Sequence, residues 1–595
     1  MSESVAIVGG GVAGMCASHH LARAGVSKIT VYEAEDELGG KARSQHVPVA
    51  SGATYPGEHG FRFFPHFYRH LLQTLRQIPV GHGKTVYDRL RGPKTAAIAY
   101  GGRKLLEVPR PVTIRPSLSF VDTTIDVLMR QEVKIEDATR FAWKLLMFAS
   151  SCDERRESQY DLMSWTEYTG ADDGLYSPEF EDVAIRASQN LSAMKASQSS
   201  AATIGTITLQ LMFFFSGEEK PDAILAGPTD EMWLNDWRAY LEKLGVRFET
   251  GRRLTAFEFD ALGGRITSLR FGADQVTADH YIAAIPLEKL VELVDAPMMA
   301  FDPALAALPA LQRRAQGDMT GMQFFLSRPL PITRGHVHYP GTPFALTSVS
   351  QGQFWARPPQ ERPGTPELRE VISVIVSDWD EPGTEGIPAR NYTEAKDLAA
   401  EVWRQMKSAL PSGTLRDEDV ITFHLDTNIS LNPFRNSTPL LIHPRDQRRH
   451  RPDAETAIEN LFLAADFVRT YTDLATMEGA EEAARRAARA ILFRMGIDKA
   501  RWPAVVPLDE GYTFEIGKRI DAWRYRFQAD HPLLTPRWAL GSLVATVRRA
   551  VGFADDAKVS SLAQAISRLP EPARAATDLE TLRQWEWVLR DDNER

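Results

Sequence analysis

The sequence predicts an α/β fold. One parallel sheet is assembled from three separated pieces of chain, a second α+β domain is inserted between them, and a helical extension ends the chain. Three observations predict it. An apolar, β-branched strand at Val5–Val8 runs directly into a glycine loop. Two later blocks, near residues 233–284 and 461–494, again combine short apolar strands with amphipathic helices. The stretches between these blocks, 86–229 and 301–440, are richer in aromatic residues and proline.

Taken in order, Met15–Ala24 has helical composition, and Gly25 suits the residue after a helix end. Lys28–Tyr32 then reads as a second strand, which makes a βαβ unit and implies parallel pairing. Trp233–Leu244 reads as a helix stopped by Gly245, with strands at Arg247–Thr250 and Leu254–Phe259. Arg265–Phe271 and Gln275–Thr277 read as a hairpin, and His280–Ala284 as a strand ending before Pro286. Leu461–Ala464 is another apolar strand, followed by a long Ala- and Arg-rich helix over Glu478–Arg494. The expected division is 1–85, 230–300 and 441–500 for the first domain, 86–229 and 301–440 for the second, and 501–595 for the extension. In that extension Trp502, Trp523, Trp538, Trp585 and Trp587 read as packing anchors.

Composition excludes several classes. The chain has 595 residues, 43% hydrophobic and 25% charged, which is globular and not disordered. Its 69 Lys and Arg against 78 Asp and Glu leave a net charge of −9, so no nucleic-acid partner is expected. Two cysteines, Cys16 and Cys152, exclude a disulfide framework or a Cys-rich metal centre and suit a reducing compartment. No apolar run is long enough to cross a bilayer and no secretory signal is recognisable, so a cytoplasmic protein is expected, with peripheral contact at the inner face of the membrane left open. No metal is expected: His66 and His70 lack the acid partners of a zinc motif and read as a solvated helix end.

The chemistry begins in the first turn. Gly9-Gly10-Gly11-Val12-Ala13-Gly14 fits G-x-G-x-x-G. Gly9 permits the tight turn, Gly11 lets backbone N–H groups approach a pyrophosphate, and Gly14 lets the helix pack close to the sheet. The helix N-terminus at Val12 and Ala13 offers positive partial charge to the phosphates. Glu33 ends the second strand 19 residues after Gly14 and is placed to accept ribose hydroxyls, with Ala34 beside it. These features make the sheet a Rossmann-like dinucleotide-binding one and leave NAD and FAD both open.

Two further motifs choose between them. Glu37-Leu38-Gly39-Gly40-Lys41-Ala42-Arg43-Ser44 resembles the Gly-Gly-Arg signature of the flavin amine oxidase and phytoene desaturase superfamily, with Lys41 at the first basic position and Arg43 at the second. Asn460–Thr470 followed by Asp473-Leu474-Ala475-Thr476-Met477-Glu478-Gly479-Ala480 looks like its C-terminal FAD motif. The resemblance implies FAD as cofactor. It implies Asp466 on the ribityl or pyrophosphate part and Met477 to Ala480 at a helix start aimed at the flavin pyrimidine edge, with Thr476 just before it also at the cofactor. It also implies a strand along the adenine near Arg247 or Phe248. A helix N-terminus there would favour the negative charge of reduced flavin.

Within the superfamily, Thr476 stands where many amine oxidases have a Tyr of an aromatic cage. Gly57-Glu58-His59-Gly60-Phe61-Arg62-Phe63-Phe64 resembles a stretch of the plant-type phytoene desaturase and hydroxysqualene dehydroxylase branch. Gly60, Phe61, Arg62 and Phe63 would then adjoin the flavin. His59 and Arg62, with Thr476, are the catalytic candidates; the other reading of His59 and Arg62 is support of the loop backbone. Leu211–Phe215 is either tunnel lining or core, and Arg445–Arg451 reads as a solvated basic loop.

The expected activity is FAD-dependent hydride removal from an apolar, isoprenoid-like small molecule, with rate supplied by proximity and orientation. Two alternatives stay open: an amine or amino-acid oxidase using oxygen, and a non-redox FAD-dependent isomerase or binding protein. The electron acceptor, whether oxygen, a quinone or a carrier, and the oligomeric state are not legible.

Overall fold

The computed structural model describes residues 3–49, 52–110, 119–192, 194–213, 218–511 and 514–534. The chain opens with β1 (Ser4–Val8), α1 (Val12–Arg23) and β2 (Lys28–Tyr32), then β3 (Thr95–Ile98) and β4 (Leu106–Pro109). Helices α2 (Ile135–Ala149) and α3 (Ala201–Met212) precede β5 (Arg247–Glu249), β6 (His280–Ala283), β7 (Thr320–Leu326), β8 (His336–His338), β9 (Thr347–Ser350) and β10 (Glu370–Val376). Helix α4 (Ala395–Ala409), β11 (Val420–Leu425), β12 (Leu461–Leu463), α5 (Met477–Arg494) and α6 (Glu515–Arg526) complete the elements used below.

Strands β5-β2-β1-β6-β12 form one five-stranded sheet, parallel throughout. Its central strand β1 is buried on both faces, with Ile7 at 0% exposure, as an uninterrupted Val/Ile run in a parallel sheet requires. Helix α1 packs against the Ala-rich α5, whose Ala483, Ala484, Ala487 and Ala488 are buried; small side chains let the two backbones approach. The expected hairpin forms, with Arg265–Phe271 antiparallel to Asp274–Val276. With Ala256–Asp260 it makes a separate three-stranded sheet and does not extend the main one.

A second sheet runs β4-β3-β8-β9-β10-β7-β11. It is mixed: β3 and β8 pair in parallel, and the remaining pairs are antiparallel. Helix α4 covers it through Leu398, Val402 and Met406, which share its core with Val374 and Phe324. A separate helical core gathers α2, α3 and the short helices between them around Phe141, Phe148, Trp165 and Tyr168. Helix α6 joins this unit through Asp521, which is buried and pairs with Arg155 at 2.9 Å. Residues 535–595, with Trp538, Trp585 and Trp587, lie outside the described residues.

Three sequence expectations are corrected, and a fourth, left open, is decided. Trp523 is 63% exposed and anchors no core, whereas Trp502 is half-buried and donates to Ile497 O (2.9 Å). His66 and His70 do not form a solvated helix end: both are buried, His66 against Asp222 (3.0 Å) and His70 against Glu478 (2.8 Å). A buried imidazole needs such a partner, and each partner arrives from a distant segment. The basic run 445–451 is not wholly solvated either, since Arg451 is buried while Arg445 and Arg449 are exposed. In Leu211–Phe215, Leu211 and Met212 line a cavity and Phe213 is core, with the last two residues outside the described set.

Candidate active site: a dinucleotide cradle opening into an apolar cavity

A cavity of about 960 Å³ starts at the glycine loop and continues between the second sheet and the helical unit. The cradle at its start is built by two glycine pairs. Gly9 takes φ +105° and donates to Tyr32 O (2.8 Å), which turns the chain out of β1. A Cβ at Gly14 would lie 1.9 Å from Gly9 O, so only glycine lets α1 start this close to the strand. Gly39 donates to Gly10 O (2.8 Å), which brings the second glycine turn against the first. Between them, a Cβ at Gly11 would meet only Gly40 Cα, at 3.8 Å, so the glycines leave an open trough.

The trough has the donors and acceptors of a dinucleotide site. No side chain caps the N-terminus of α1, so its first N–H groups, beginning at Val12 and Ala13, face the cavity unsatisfied by a cap. Glu33 is buried, with Oε2 accepting from Gly10 N (2.7 Å) and Oε1 from Glu35 N (2.9 Å). These bonds lock the carboxylate and leave each oxygen a further lone pair for a ribose hydroxyl. Ala34, Gly40, Lys41 and Arg43 also line the cavity. Lys41 Nζ donates to Pro439 O (2.6 Å), so the side chain is tied to a neighbouring loop. The Arg43 guanidinium, half-buried in the lining, has no side-chain partner among the described residues and is the free cation of this turn.

Arg247 and Phe248 lie on β5, the edge strand beside β2, and neither lines the cavity; Arg252, Arg253 and Leu254 do. The strand register explains the correction: Glu33 N donates to Glu249 O (2.9 Å) and Arg252 N to Glu33 O (2.7 Å), so the chain reaches the cavity only after β5 ends.

Gly60, Phe61, Arg62 and Phe63 line the cavity beside His59. Arg62 donates to Lys41 O (2.9 Å) and Ala42 O (3.2 Å), and lies 3.5 Å from the buried Glu58. Its guanidinium is thus used to hold the Gly-Gly turn, the supporting one of its two readings. His59 turns Nδ1 to Asp426, a residue 367 positions away, in a close hydrogen bond. Asp426 also accepts from Gln45 Nε2 (2.6 Å) and Asn428 Nδ2 (2.9 Å). Burial pushes its carboxyl up, but the His59 and Gln45 bonds outweigh that and hold it well below the carboxylate range.

At α5, Thr476 Oγ1 accepts from Gly479 N (3.1 Å) and caps the helix, while Thr476, Met477 and Ala480 line the cavity with Asp466. Behind this turn stands a network that the sequence did not reveal. Arg451 donates to the carbonyls of Asp466 (2.8 Å), Phe467 (3.0 Å) and Val468 (2.7 Å) and pairs with Asp473 at 2.5 Å. His443 Nε2 accepts from Ala475 N (2.9 Å), and burial, with Arg451 nearby, lowers its pKa to about 3. Asp473 was visible as part of the late motif; Arg451 carried no signal beyond its charge.

The rest of the lining comes from the helical unit and the second sheet. Phe141, Val183, Ile204, Ile207, Leu211 and Ile375 are among its apolar members. From residues 86–229 and 301–440, the one acid that lines it among the described residues is Asp222. Asp222 is bonded by His66 at Oδ1 and by Arg110 at Oδ2, so it offers no unpaired charge. No group of metal-binding side chains is present among the described residues.

Two glycine turns, a locked carboxylate, a free arginine and two helix N-termini on one trough fit FAD. Comparisons with known proteins agree. The family described as flavin containing amine oxidoreductase matches residues 12–492. The 15-cis-phytoene desaturase of Synechococcus elongatus is 24% identical over 508 residues, covering 82% of this chain and 96% of that protein. The carotenoid phi-ring synthase of Streptomyces griseus is 33% identical over 115 residues, which is 17% of this chain and 22% of that one. The fold resembles that of cyclohexylamine oxidase from Brevibacterium oxydans, with a TM-score of 0.56 at 14% identity, covering 83% of this chain and 100% of that one. The chain belongs to the flavin-containing amine oxidoreductase family and is an FAD-dependent oxidoreductase.

Proposed function

We propose that the enzyme removes a hydride from an apolar, isoprenoid-like substrate, as a desaturase or dehydrogenase. The carrying observation is the substrate part of the cavity. It is lined mainly by aliphatic and aromatic side chains, and Asp222, its one acid among the described residues, is spent on Arg110 and His66. An ammonium substrate would find no unpaired anion there, and desolvating it would be costly. The similarity to a phytoene desaturase along most of both chains supports the same reading.

FAD, when bound, supplies the two-electron acceptor. The chain's own residues do the rest. The glycine turns, Glu33 and Arg43 hold the dinucleotide end. Arg62 and the Thr476 cap fix the two backbone segments that border the reacting part of the site. The apolar walls exclude water and orient the substrate, so the rate comes from proximity. Among the described residues no helix is long and apolar enough to cross a membrane. Contact with a membrane surface, where apolar substrates reside, is part of the proposal.

An anaerobic titration tests it: the purified flavoprotein is mixed with isoprenoids, amines and amino acids while the flavin spectrum is recorded. Bleaching by an isoprenoid is the expected result. Bleaching only by an amine or amino acid would replace the proposal with an oxidase.

A further inference from the structure

Among the polar side chains that interrupt the apolar wall of the substrate cavity are Arg110, His336 and His338. His336 and His338 stand two apart on β8, so both rings leave the same face of the strand. Arg110 follows β4 directly, and its N–H donates to Lys94 O (3.0 Å) next to β3, the strand paired with β8. The three therefore converge from β8 and the end of β4, which flank β3 at one edge of the second sheet.

The two imidazoles are unusual for buried polar groups. His336 is 9% exposed, and neither ring has a hydrogen-bond partner among the described residues; His336 Nε2 and His338 Nδ1 are buried and unbonded, and both residues line the cavity. An unmade bond at a buried polar atom costs about 1–3 kcal/mol. Burial, the largest cause, lowers the pKa of His336 to about 3 and that of His338 to about 4. Both rings are thus neutral at physiological pH, each with one donor and one acceptor. Beside them Arg110 spends Nε (2.7 Å) and Nη2 on Asp222, and its Nη1 has no partner among the described residues. Asp222 cancels the guanidinium charge. The rings of Phe63 and Phe61 stand 4.3 and 5.2 Å from that of His336 and hold it in place.

We propose that Arg110, His336 and His338 form a subsite for a neutral oxygen function, a hydroxyl or carbonyl, on an otherwise apolar substrate. The inference rests on the reading that this cavity takes an apolar substrate, and it narrows that substrate's class. A hydroxyl donates to one imidazole nitrogen and accepts from the other ring or from Arg110 Nη1. A pure hydrocarbon leaves all of them unmade. A carboxylate gains little, because Arg110, the cation of the patch among the described residues, is already neutralised and Asp222 repels it.

The test uses the holoenzyme without oxygen and four probes of equal chain length: an isoprenoid hydrocarbon, its primary alcohol, its aldehyde and its carboxylic acid. Affinity is read from the perturbation of the flavin spectrum, and turnover from its bleaching. The alcohol or aldehyde is expected to bind about tenfold tighter than the hydrocarbon, the value of one or two added neutral hydrogen bonds. The double variant His336→Leu/His338→Leu is expected to bring these affinities to parity. Equal binding of hydrocarbon and alcohol by the unmodified enzyme, tightest binding of the acid, binding of no probe, or a preference that survives in the double variant would each overturn the subsite. The comparison on the unmodified enzyme stands even if the variant does not fold. Preference for the alcohol with no bleaching by any probe sinks the redox reading and leaves the subsite. Bleaching without preference sinks only the subsite.

Discussion

Arg451 pairs with Asp473 at 2.5 Å, and both side chains are buried. The pair stands behind the turn that leads into α5. Asp473 takes a further bond from Thr203 Oγ1 (2.7 Å) on α3, so the turn is tied to the helical unit as well. Burial pushes the Asp473 carboxyl up, yet Arg448 and Arg451 hold it below the ordinary range. One guanidinium thus sets four acceptors in place around a segment that lines the FAD site.

Replacing Arg451 with Met leaves the buried Asp473 with Arg448, at 4.0 Å, as its remaining cation, and takes the guanidinium from three carbonyls. The expected loss is about 3–5 kcal/mol of folding stability, the range for breaking a buried ion pair. Arg451→Lys rescues only in part, because an ammonium cannot span a carboxylate and three carbonyls at once. Chemical denaturation measures the loss, and the flavin-to-protein ratio should fall with it. An unchanged midpoint for Arg451→Met would show that the network carries no load.

The two loop glycines separate folding from binding. Gly14→Ala drives a Cβ to 1.9 Å from Gly9 O, so it destabilises the protein by about 1–3 kcal/mol through overpacking. Gly11→Ala meets only Gly40 Cα at 3.8 Å, so its melting temperature without FAD should hold while its affinity for FAD drops. Equal behaviour of the two variants in thermal melts and FAD titration would refute this assignment of roles.

Glu370 predicts a pH dependence. Its carboxyl is buried, and burial raises its pKa to about 7 against bonds from the N–H groups of Val371 and Gly352 (3.0 and 2.5 Å). The folded pKa lies above the unfolded one, so the folded state binds the extra proton. Stability from this group is present at low pH and is lost as pH rises from about 4.5 to 7. Glu370→Gln keeps an acceptor for the two N–H groups and removes the charge. It should stabilise the protein by about 1–3 kcal/mol above pH 7 and have little effect near pH 4.5. Parallel pH–stability curves for the two proteins would contradict the sign.

Thr476→Ala removes the cap from α5 and should cost about 0.5–2 kcal/mol, with Thr476→Ser restoring most of it. Because the capped turn borders the FAD site, the flavin reduction potential should move in Thr476→Ala and return in Thr476→Ser. Potentiometric titration against a reference dye reads this. A potential identical in all three proteins would make the cap purely structural.

Much of the FAD side was legible because its signals are local. Strand β2 runs over the expected Lys28–Tyr32, and α5 begins one residue before its expected start at Glu478. Thr476 as a helix start, Glu33 as a strand end and the two glycine turns could be read from neighbours a few residues away. Arg247 and Phe248 failed because where the chain leaves β5 for the cavity depends on pairing with β2, across more than 200 residues of sequence. His66, His70 and Arg451 failed for a related reason. A polar residue followed by turns looks solvated until a distant partner is brought against it.

By itself the sequence determined the βαβ start, the open trough at Gly11, the carboxylate at Glu33 and the start of α5. Each follows from short-range sterics and helix-end hydrogen bonding, which a few consecutive residues specify. Only the tertiary structure decided that Asp426 holds His59, that Arg451 braces the α5 turn, and that Arg110 meets His336 and His338 on the cavity wall. Those pairings depend on burial, which removes water as the competing partner and turns distant polar residues into obligatory neighbours.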